Sequence, residues 1–508
     1  MNDLAEKALE GVTVVRRRVH DHPVWALGPT GFVVGVLVVV SGGRATAARP
    51  DRPLTSWAGL QDVRSSAIGS AAGSIMLAGV LTLAVLWVAT LWLVVTRGLP
   101  LSRVWVLAAA WAIPFVLGPP LMDTSVYTYV AYGRLLRAGR NPYRDGPTAL
   151  GDSPIVSAID PARRGTASSS GPVGALLQHL AASVGNGGLL ATVLVWRVVS
   201  VAAALWIARS VAELAARAEL AGQPAPSDAA AVAACAMNPL VLLYVVSSPH
   251  LDAVMVALVL AAAVAAGQRR WWRALILATL AGGICPVGLV AVPLIAATHW
   301  FGRRRTRLWP VITRDSVIVA VVLVLPFLAV DRGWGWLRNV RSEFSSERTP
   351  YSLAGAVENG LALVVRIAPD DDLAAGGRLT AALAAACVLA YLLATLRQRP
   401  LTLSIGYALL WFGLLAPILQ PWYLLWGTLA LLPFATGQSR IVLVGLSVAG
   451  CVLAPQGFVD GPADIVTGAC LAVVVLATGV ALWLERPEPA AGQRPLEIPR
   501  TAGRTSAR

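Results

Sequence analysis

Residues 122–147, MDTSVYTYVAYGRLLRAGRNPYRDGP, set a carboxylate directly behind an apolar run, follow it with several tyrosines and several arginines, and end in Gly/Pro-rich turn chemistry. If the chain turns helical after Asp123, Asp123 and Tyr127 stand four apart on one face and Arg134 lies two turns beyond Tyr127. A carboxylate beside cations suits proton removal from a hydroxyl while arginines hold a phosphate. The same residue, read in DTSVY, is equally a helix N-cap that satisfies free backbone N–H groups. The residues alone leave these two readings level. The stripe of Val126, Val130, Leu135 and Leu136, broken by Tyr129, Tyr132, Arg137 and Arg140, predicts an amphipathic helix lying on the outer leaflet. GRNPYRDGP then breaks that helix, and a second amphipathic stretch, PVGALLQHLAASV at 172–184, closes the loop.

Other polar groups stand in apolar text. His250 and Asp252 open the run HLDAVMVAL and read either as site residues near a membrane face or as a polar helix start, with Asp252 favoured by the N-terminal dipole. Gln420, Trp422 and Tyr423 in LQPWYLLW offer a sugar-stacking platform or an interfacial anchor. Arg197, in ATVLVWRVVSVAA, lies about ten residues, or roughly 15 Å, into an apolar span. An arginine there needs a partner, either a bound phosphate or a carboxylate. The stretch DRGWGWLRNVRSEFSSERTPYS carries Arg338, Arg341 and Arg348 beside Glu343 and Glu347 and reads first as a solvated loop, second as an anion clamp. PDDDL at 369–373 imitates the Asp-x-Asp of nucleotide-sugar sites, but a lone acidic run on an outer loop is weak support for metal binding. The five cysteines sit in apolar runs without ligand spacing and read as small core residues.

The elements that must position these groups are membrane spans. The chain is 56% hydrophobic and 13% charged, with mean hydropathy +0.67, and many runs approach the roughly 20 residues that cross a bilayer. This composition excludes a soluble enzyme of several domains and predicts an all-α, polytopic integral membrane protein. The net charge of +14 is almost all arginine, Lys7 being the only lysine. Those arginines flank spans as the positive-inside rule requires, so the charge is no nucleic-acid signal. Spans are expected at 23–41, 70–96, 103–121, 187–208, 229–247, 250–267, 313–330, 374–396, 401–419, 422–436, 440–456 and 462–484. Residues 274–300 have arginines at both ends, and Gly282, Gly283 and Pro286 predict a hairpin of two short helices. The ATAA at 45–48 resembles a signal-peptidase site, but the long preceding region favours an uncleaved anchor. The expected organisation is a cytoplasmic segment 1–22, one membrane domain 23–484, and a disordered cytoplasmic tail 485–508. Large outer loops are expected at 122–186 and 331–373, and the many tryptophans suit an interfacial belt.

Taken in order, MDTSVYTYVAYGRLLRAGRNPY, NPLVLLYVVSSPHLDAVMVAL and LQPWYLLWGTLALLP resemble the actinobacterial polyprenyl-phosphomannose-dependent α-1,6-mannopyranosyltransferases of the GT-C superfamily, over roughly residues 100–485. The resemblance implies a GT-C-type bundle of about 12–14 transmembrane helices with amphipathic helices in the first large outer loop. It implies Asp123 as catalytic base, and it rests also on Tyr129, Gly133, Arg134, Gly139, Asn141, Pro142 and Tyr143, which follow a YxxxGRLLxxGxNPY-like pattern. Tyr127, Arg134, Arg197, His250 and Asp252 then become candidate donor-binding residues, and Asn141, Tyr143, Gln420, Trp422 and Tyr423 candidate acceptor-binding residues. Where the family pattern has His-Asn-Asp, this chain has His250-Leu251-Asp252, which removes one member of any three-group polar network.

The activity so implied is mannose transfer from polyprenyl-phosphate mannose to a mannan or a phosphatidylinositol-mannoside-type glycolipid. It would run at the extracytoplasmic face of the plasma membrane and build α-1,6 linkages of the lipomannan and lipoarabinomannan core. A phosphate leaving group needs no acid catalyst, so one carboxylate suffices for an inverting displacement, and neither a metal nor another cofactor is expected. Membrane lipids are the expected surroundings, nucleic acid is not an expected partner, and oligomeric state is left open. A transporter or lipid flippase with a comparable span count is the rival reading, as is a GT-C enzyme using another sugar such as arabinofuranose.

Overall fold

The computed structural model describes residues 26–44, 57, 66–123, 125–301, 305–330, 333–346, 352 and 371–453. Over these the chain is helical and contains no strand. In chain order the principal helices begin with α1 (Ala26–Arg44), α2 (Ser66–Arg97), α3 (Leu101–Leu117), α4 (Ser125–Arg137), α5 (Pro172–Val184) and α6 (Leu189–Leu220). They continue with α7 (Asp228–Ala236), α8 (Pro239–Ser247), α9 (Leu251–Gly267), α10 (Trp271–Ile284), α11 (Ala291–Trp300) and α12 (Arg305–Val330). The last are α13 (Gly335–Ser346), α14 (Asp371–Ala394), α15 (Leu401–Leu414), α16 (Tyr423–Leu431) and α17 (Gly437–Leu453).

Among the described residues, five of these, α1, α2, α6, α12 and α14, are long and apolar enough to cross a membrane, and α7 with α8, bent by 48° at their junction, make a sixth. The remaining expected spans that fall on described residues are shorter apolar helices of 10–17 residues packed in the same bundle. The chain is thus an all-α multispanning membrane protein. The span expected at 462–484, the segment 1–22, the ATAA at 45–48 and the tail 485–508 lie outside the described residues.

Prolines and glycines place the breaks. Asn238 caps the restart of the chain after α7, its Oδ1 accepting the Leu240 N–H at 3.0 Å, with Pro239 in the first turn. Its Nδ2 donates to Ser447 Oγ on α17 at 3.0 Å, so this buried amide is satisfied on both sides. The second half of α8, Leu242–Ser247, widens into a π-turn that closes with Ser248 N–H on the Leu243 carbonyl at 3.0 Å. Such widened turns are frequent at functional sites. The 274–300 hairpin is found as expected: α10 ends at Ile284, Pro286–Val290 form a 3₁₀ turn, and α11 follows.

Three expectations are corrected by packing. The tryptophans are only partly a belt: Trp87 and Trp111 are fully buried and staple helices together, donating to the carbonyls of Ala233 at 3.0 Å and Leu27 at 2.9 Å, whereas Trp92, Trp206 and Trp309 are exposed. The helix at 125–137 does not lie open on a leaflet. Ten of its thirteen residues are buried, and α5 and α6 pack against it. Gly133 makes that approach possible, since a Cβ there would stand 2.2 Å from the Gln178 carbonyl oxygen. The stretch at 335–346 is likewise a docked helix rather than a solvated loop. Trp336 is buried, and Asn339 Nδ2 donates to the carbonyls of Tyr143 at 3.0 Å and Ser168 at 2.8 Å, while Arg338 and Arg341 stay exposed. Side chains beyond Ser342 in this stretch, including Glu343, Glu347 and Arg348, lie outside the description, as do Pro369 and Asp370 of PDDDL.

Candidate active site

The site begins where α3 stops. Gly118, Pro119 and Pro120 end the helix, because proline has no N–H to continue it. The extended loop that follows is held by side chains from the α8–α9 junction. Ser248 Oγ accepts the N–H groups of Leu121 at 3.2 Å and Met122 at 3.1 Å, and Ser247 Oγ donates to the Pro119 carbonyl at 3.3 Å. That anchoring delivers Asp123 to the mouth of α4, where its Oδ2 accepts the Ser125 N–H at 2.9 Å. The capping role is therefore real.

The same junction delivers His250. Pro249 stops α8, α9 starts at Leu251, and His250, 3% exposed, places Nε2 3.3 Å from Asp123 Oδ2. Trp422, at the start of α16, covers the imidazole at 4.3 Å between ring centroids and 31° between planes. Tyr244 from α8 completes an aromatic cluster, 5.2 Å from Trp422 and 6.1 Å from His250. Tyr423 stacks onward on Trp426 at 4.1 Å. The Nε1–H of Trp422 is buried and donates to no protein acceptor. Three stretches far apart in sequence, around 123, 250 and 422, thus meet in one place.

The electrostatics separate the two titratable groups. Burial pushes the Asp123 carboxyl up, but His250, Arg163 and the hydrogen bonds from Ser125 outweigh it and hold the carboxyl below its ordinary value. Burial pushes the His250 imidazole down, with Arg163 adding to that against the pull of Asp123. The resting pair is carboxylate and neutral imidazole. Both folded-state values lie below the unfolded ones, so the unfolded chain takes up protons first and stability is lost as pH falls below about 6.5 and again below about 3.9. Activity carried by this pair should accordingly show no inflection at the ordinary imidazole value, its acid limb lying lower. A pH profile of kcat/KM measured on stable protein in nanodiscs checks this. An inflection near 6.5 that disappears in His250→Gln would mean that the resting imidazole titrates normally.

The remaining sequence candidates divide. Asp252 lies half-buried in the first turn of α9 and faces Tyr129 of α4 electrostatically, so both belong to this region. Tyr127 is buried on α4 near Arg197. Arg197 is 3% exposed and donates Nη1 to the carbonyls of Phe115, at 2.7 Å, and Val246, and Nη2 to that of Gly118, at 3.0 Å. Arg134 is exposed and donates to the Gly187 carbonyl at 3.1 Å, in the turn between α5 and α6. Neither guanidinium is presented to Asp123 as a phosphate ligand. Asn141 makes a turn, its Oδ1 accepting the Tyr143 N–H at 3.0 Å, and Tyr143 is buried with Trp336 in a separate small cluster. Gln420 shapes the turn before α16, its carbonyl accepting the Tyr423 N–H at 2.9 Å. Sequence reasoning missed Arg163, Tyr129, Tyr244 and Ser248 as parts of the site. Of these, Tyr129 stood in the YxxxGRLLxxGxNPY-like pattern, and Tyr244 and Ser248 in NPLVLLYVVSSPHLDAVMVAL, whereas Arg163 carried no signal. Among the described residues, no three His, Cys, Asp or Glu side chains group as metal ligands.

Comparison with known proteins adds a family. Residues 29–301 match the family described as alpha-(1->6)-mannopyranosyltransferase, N-terminal domain, and residues 352–483 match the MptB C-terminal domain. An alpha-(1->6)-mannopyranosyltransferase of Mycobacterium tuberculosis is 26% identical over 392 residues, covering 64% of each chain. Alpha-(1->6)-mannopyranosyltransferase B of Corynebacterium glutamicum is 24% identical over 65% of this chain and 58% of its own length. A probable alpha-(1->6)-mannopyranosyltransferase of Mycolicibacterium smegmatis is 26% identical over 77% of each. The match therefore spans less than two thirds of the first two relatives' length. No solved structure matches the chain.

Proposed function

Because the chain belongs to the alpha-(1->6)-mannopyranosyltransferase family, we propose that it transfers mannose from a polyprenyl-phosphate donor to a mannan or glycolipid acceptor. The proposed reaction runs at the extracytoplasmic face of the plasma membrane in a GT-C-type bundle. The observation that carries this reading is the meeting of Asp123, His250 and Trp422, 3.3 Å and 4.3 Å apart along that chain of contacts.

In this reading the acceptor's 6-hydroxyl sits against the Asp123 carboxylate. Its oxygen attacks C1 of a β-linked mannosyl phosphate, the C1–O bond to phosphate breaks, and the electron pair leaves with polyprenyl phosphate. The hydroxyl proton passes to Asp123, and a single displacement gives an α linkage. A depressed carboxyl is always in its basic form, and it takes the proton late, as the phosphate departs. His250 and Trp422 stand beside Asp123, and the unpartnered Trp422 Nε1–H suits a sugar hydroxyl. The test is the product's anomeric configuration, read by NMR after transfer from β-linked donor to a short α-1,6-mannoside. An α product supports one displacement by one carboxylate, and a β product rules it out.

Arg163 is the cation this reading assigns to the donor phosphate, since its charge acts on Asp123 and His250 alike. A charge-assisted hydrogen bond is worth about 1.5–3 kcal/mol, so Arg163→Gln should lower kcat/KM for the lipid donor roughly 10- to 100-fold. Arg134→Gln should lower it little. Steady-state kinetics with varied donor decide, and the reverse ranking would return the phosphate to Arg134.

A further inference from the structure

Arg197 is a full positive charge in the interior, and it meets carbonyls rather than a carboxylate. The sequence explains why those carbonyls want a donor. In a continuing helix the Phe115 carbonyl would accept from residue 119, and Pro119 has no N–H. In a continuing helix the Val246 carbonyl would accept from His250, but Pro249 stops α8 before His250 can return to it. Two helix ends, of α3 and α8, therefore point unsatisfied oxygens and their partial negative charge at one spot. A guanidinium, with its fixed fork of donors and no acceptor, fills that spot from α6.

We propose that Arg197 is a positioning residue: by joining the last carbonyls of α3 to those of α8 it sets the register between the Asp123 loop and the His250 loop. Phe115 and Gly118 lie eight and five residues before Asp123, and Val246 four before His250. Ser248 reinforces the register from the other side by accepting the Leu121 and Met122 N–H groups. Together these contacts occupy the polar backbone ahead of Asp123 and ahead of His250, so that the carboxylate stays within 3.3 Å of the imidazole. This role rests on the proposed reaction only for its kinetic consequence; the register itself is a property of the fold.

The experiment compares wild type with Arg197→Gln, Arg197→Lys and Ser248→Ala in nanodiscs. Two readouts are taken: kinetics with varied donor, and hydrogen exchange of segments 115–123 and 243–251. Arg197→Gln should lower kcat about 100-fold with donor KM unchanged and raise exchange at least tenfold in both segments together. Arg197→Lys, a single point of donation, should recover part of kcat, and Ser248→Ala should lower kcat about tenfold and loosen 115–123. If Arg197→Gln does not fold, the other two variants carry the same prediction. A rise in donor KM with kcat preserved would make Arg197 a phosphate ligand and overturn the proposal. Unchanged exchange in both segments would overturn it as well, whatever reaction the protein performs. Coupled loosening of the two segments in a protein without transferase activity would uphold the register and refute the proposed reaction instead.

Discussion

Asp123→Asn is expected to lower mannose transfer by about 10²- to 10⁴-fold, the contribution of a positioned general base. The fold should survive it. Asparagine is as good an N-cap as aspartate, and its side-chain oxygen can still accept the Ser125 N–H now held at 2.9 Å. The neighbouring imidazole is neutral at rest, so removing the carboxylate breaks no ion pair and strands no buried charge. Melting temperature should thus change little while activity collapses, and Asp123→Ala should lose both the activity and about 1 kcal/mol of capping. Transfer assays run beside thermal melts on the same nanodisc preparations separate the two roles. Full activity in Asp123→Asn would return Asp123 to capping alone.

The second large effect is expected far from any reacting atom. Gly133→Ala puts a Cβ 2.2 Å from the Gln178 oxygen and 2.9 Å from its carbon, both backbone atoms that cannot swing aside. The α4 and α5 helices must move apart, at a cost of about 1–3 kcal/mol for overpacking. Because α4 starts two residues after Asp123 and carries Tyr127 and Tyr129, the shift reaches the site. Displacement of a reacting group by about 1 Å is worth roughly 10²-fold in rate, so activity should fall on that scale. Gly139→Ala is the control. Gly139 is left-handed, at φ +73°, but nothing lies within 4 Å of its missing Cβ, so only about 1–2 kcal/mol of backbone strain is expected. Melting curves and kcat for the two variants check the contrast. Equal losses of activity would show that backbone conformation, rather than helix contact, is what Gly133 provides.

The fold was legible where chemistry is local. Helix α5 was read at 172–184, the bounds found, because proline fits its first turn and glycine follows its last residue. The break at Cys285 and Pro286 announced itself in the same way. The setting of α4 was not legible. Its apolar stripe suits lipid and suits α5 and α6 equally, since lipid tails and Leu-rich helices are alike to an apolar face. Asp123, His250 and Trp422 were each singled out, but their meeting joins residues more than a hundred apart and has no local signal. Arg197 was marked by its depth, yet its partners are backbone carbonyls, which every residue has and no sequence pattern reveals. Arg163 looked like one more arginine in a loop because its importance is set only by what the fold brings near it.

The most direct test follows the fate of the sugar itself. Sealed proteoliposomes containing the full chain and polyprenyl-phosphate [14C]mannose are supplied with a short α-1,6-mannoside. The label is then traced to lipid, to glycan or across the bilayer. A reaction centre at Asp123 predicts label covalently joined to the mannoside, with polyprenyl phosphate released in equal amount and no product from the Asp123→Asn protein. Label that crosses the membrane still attached to its lipid, with no new glycosidic bond, would contradict it and make the chain a transporter.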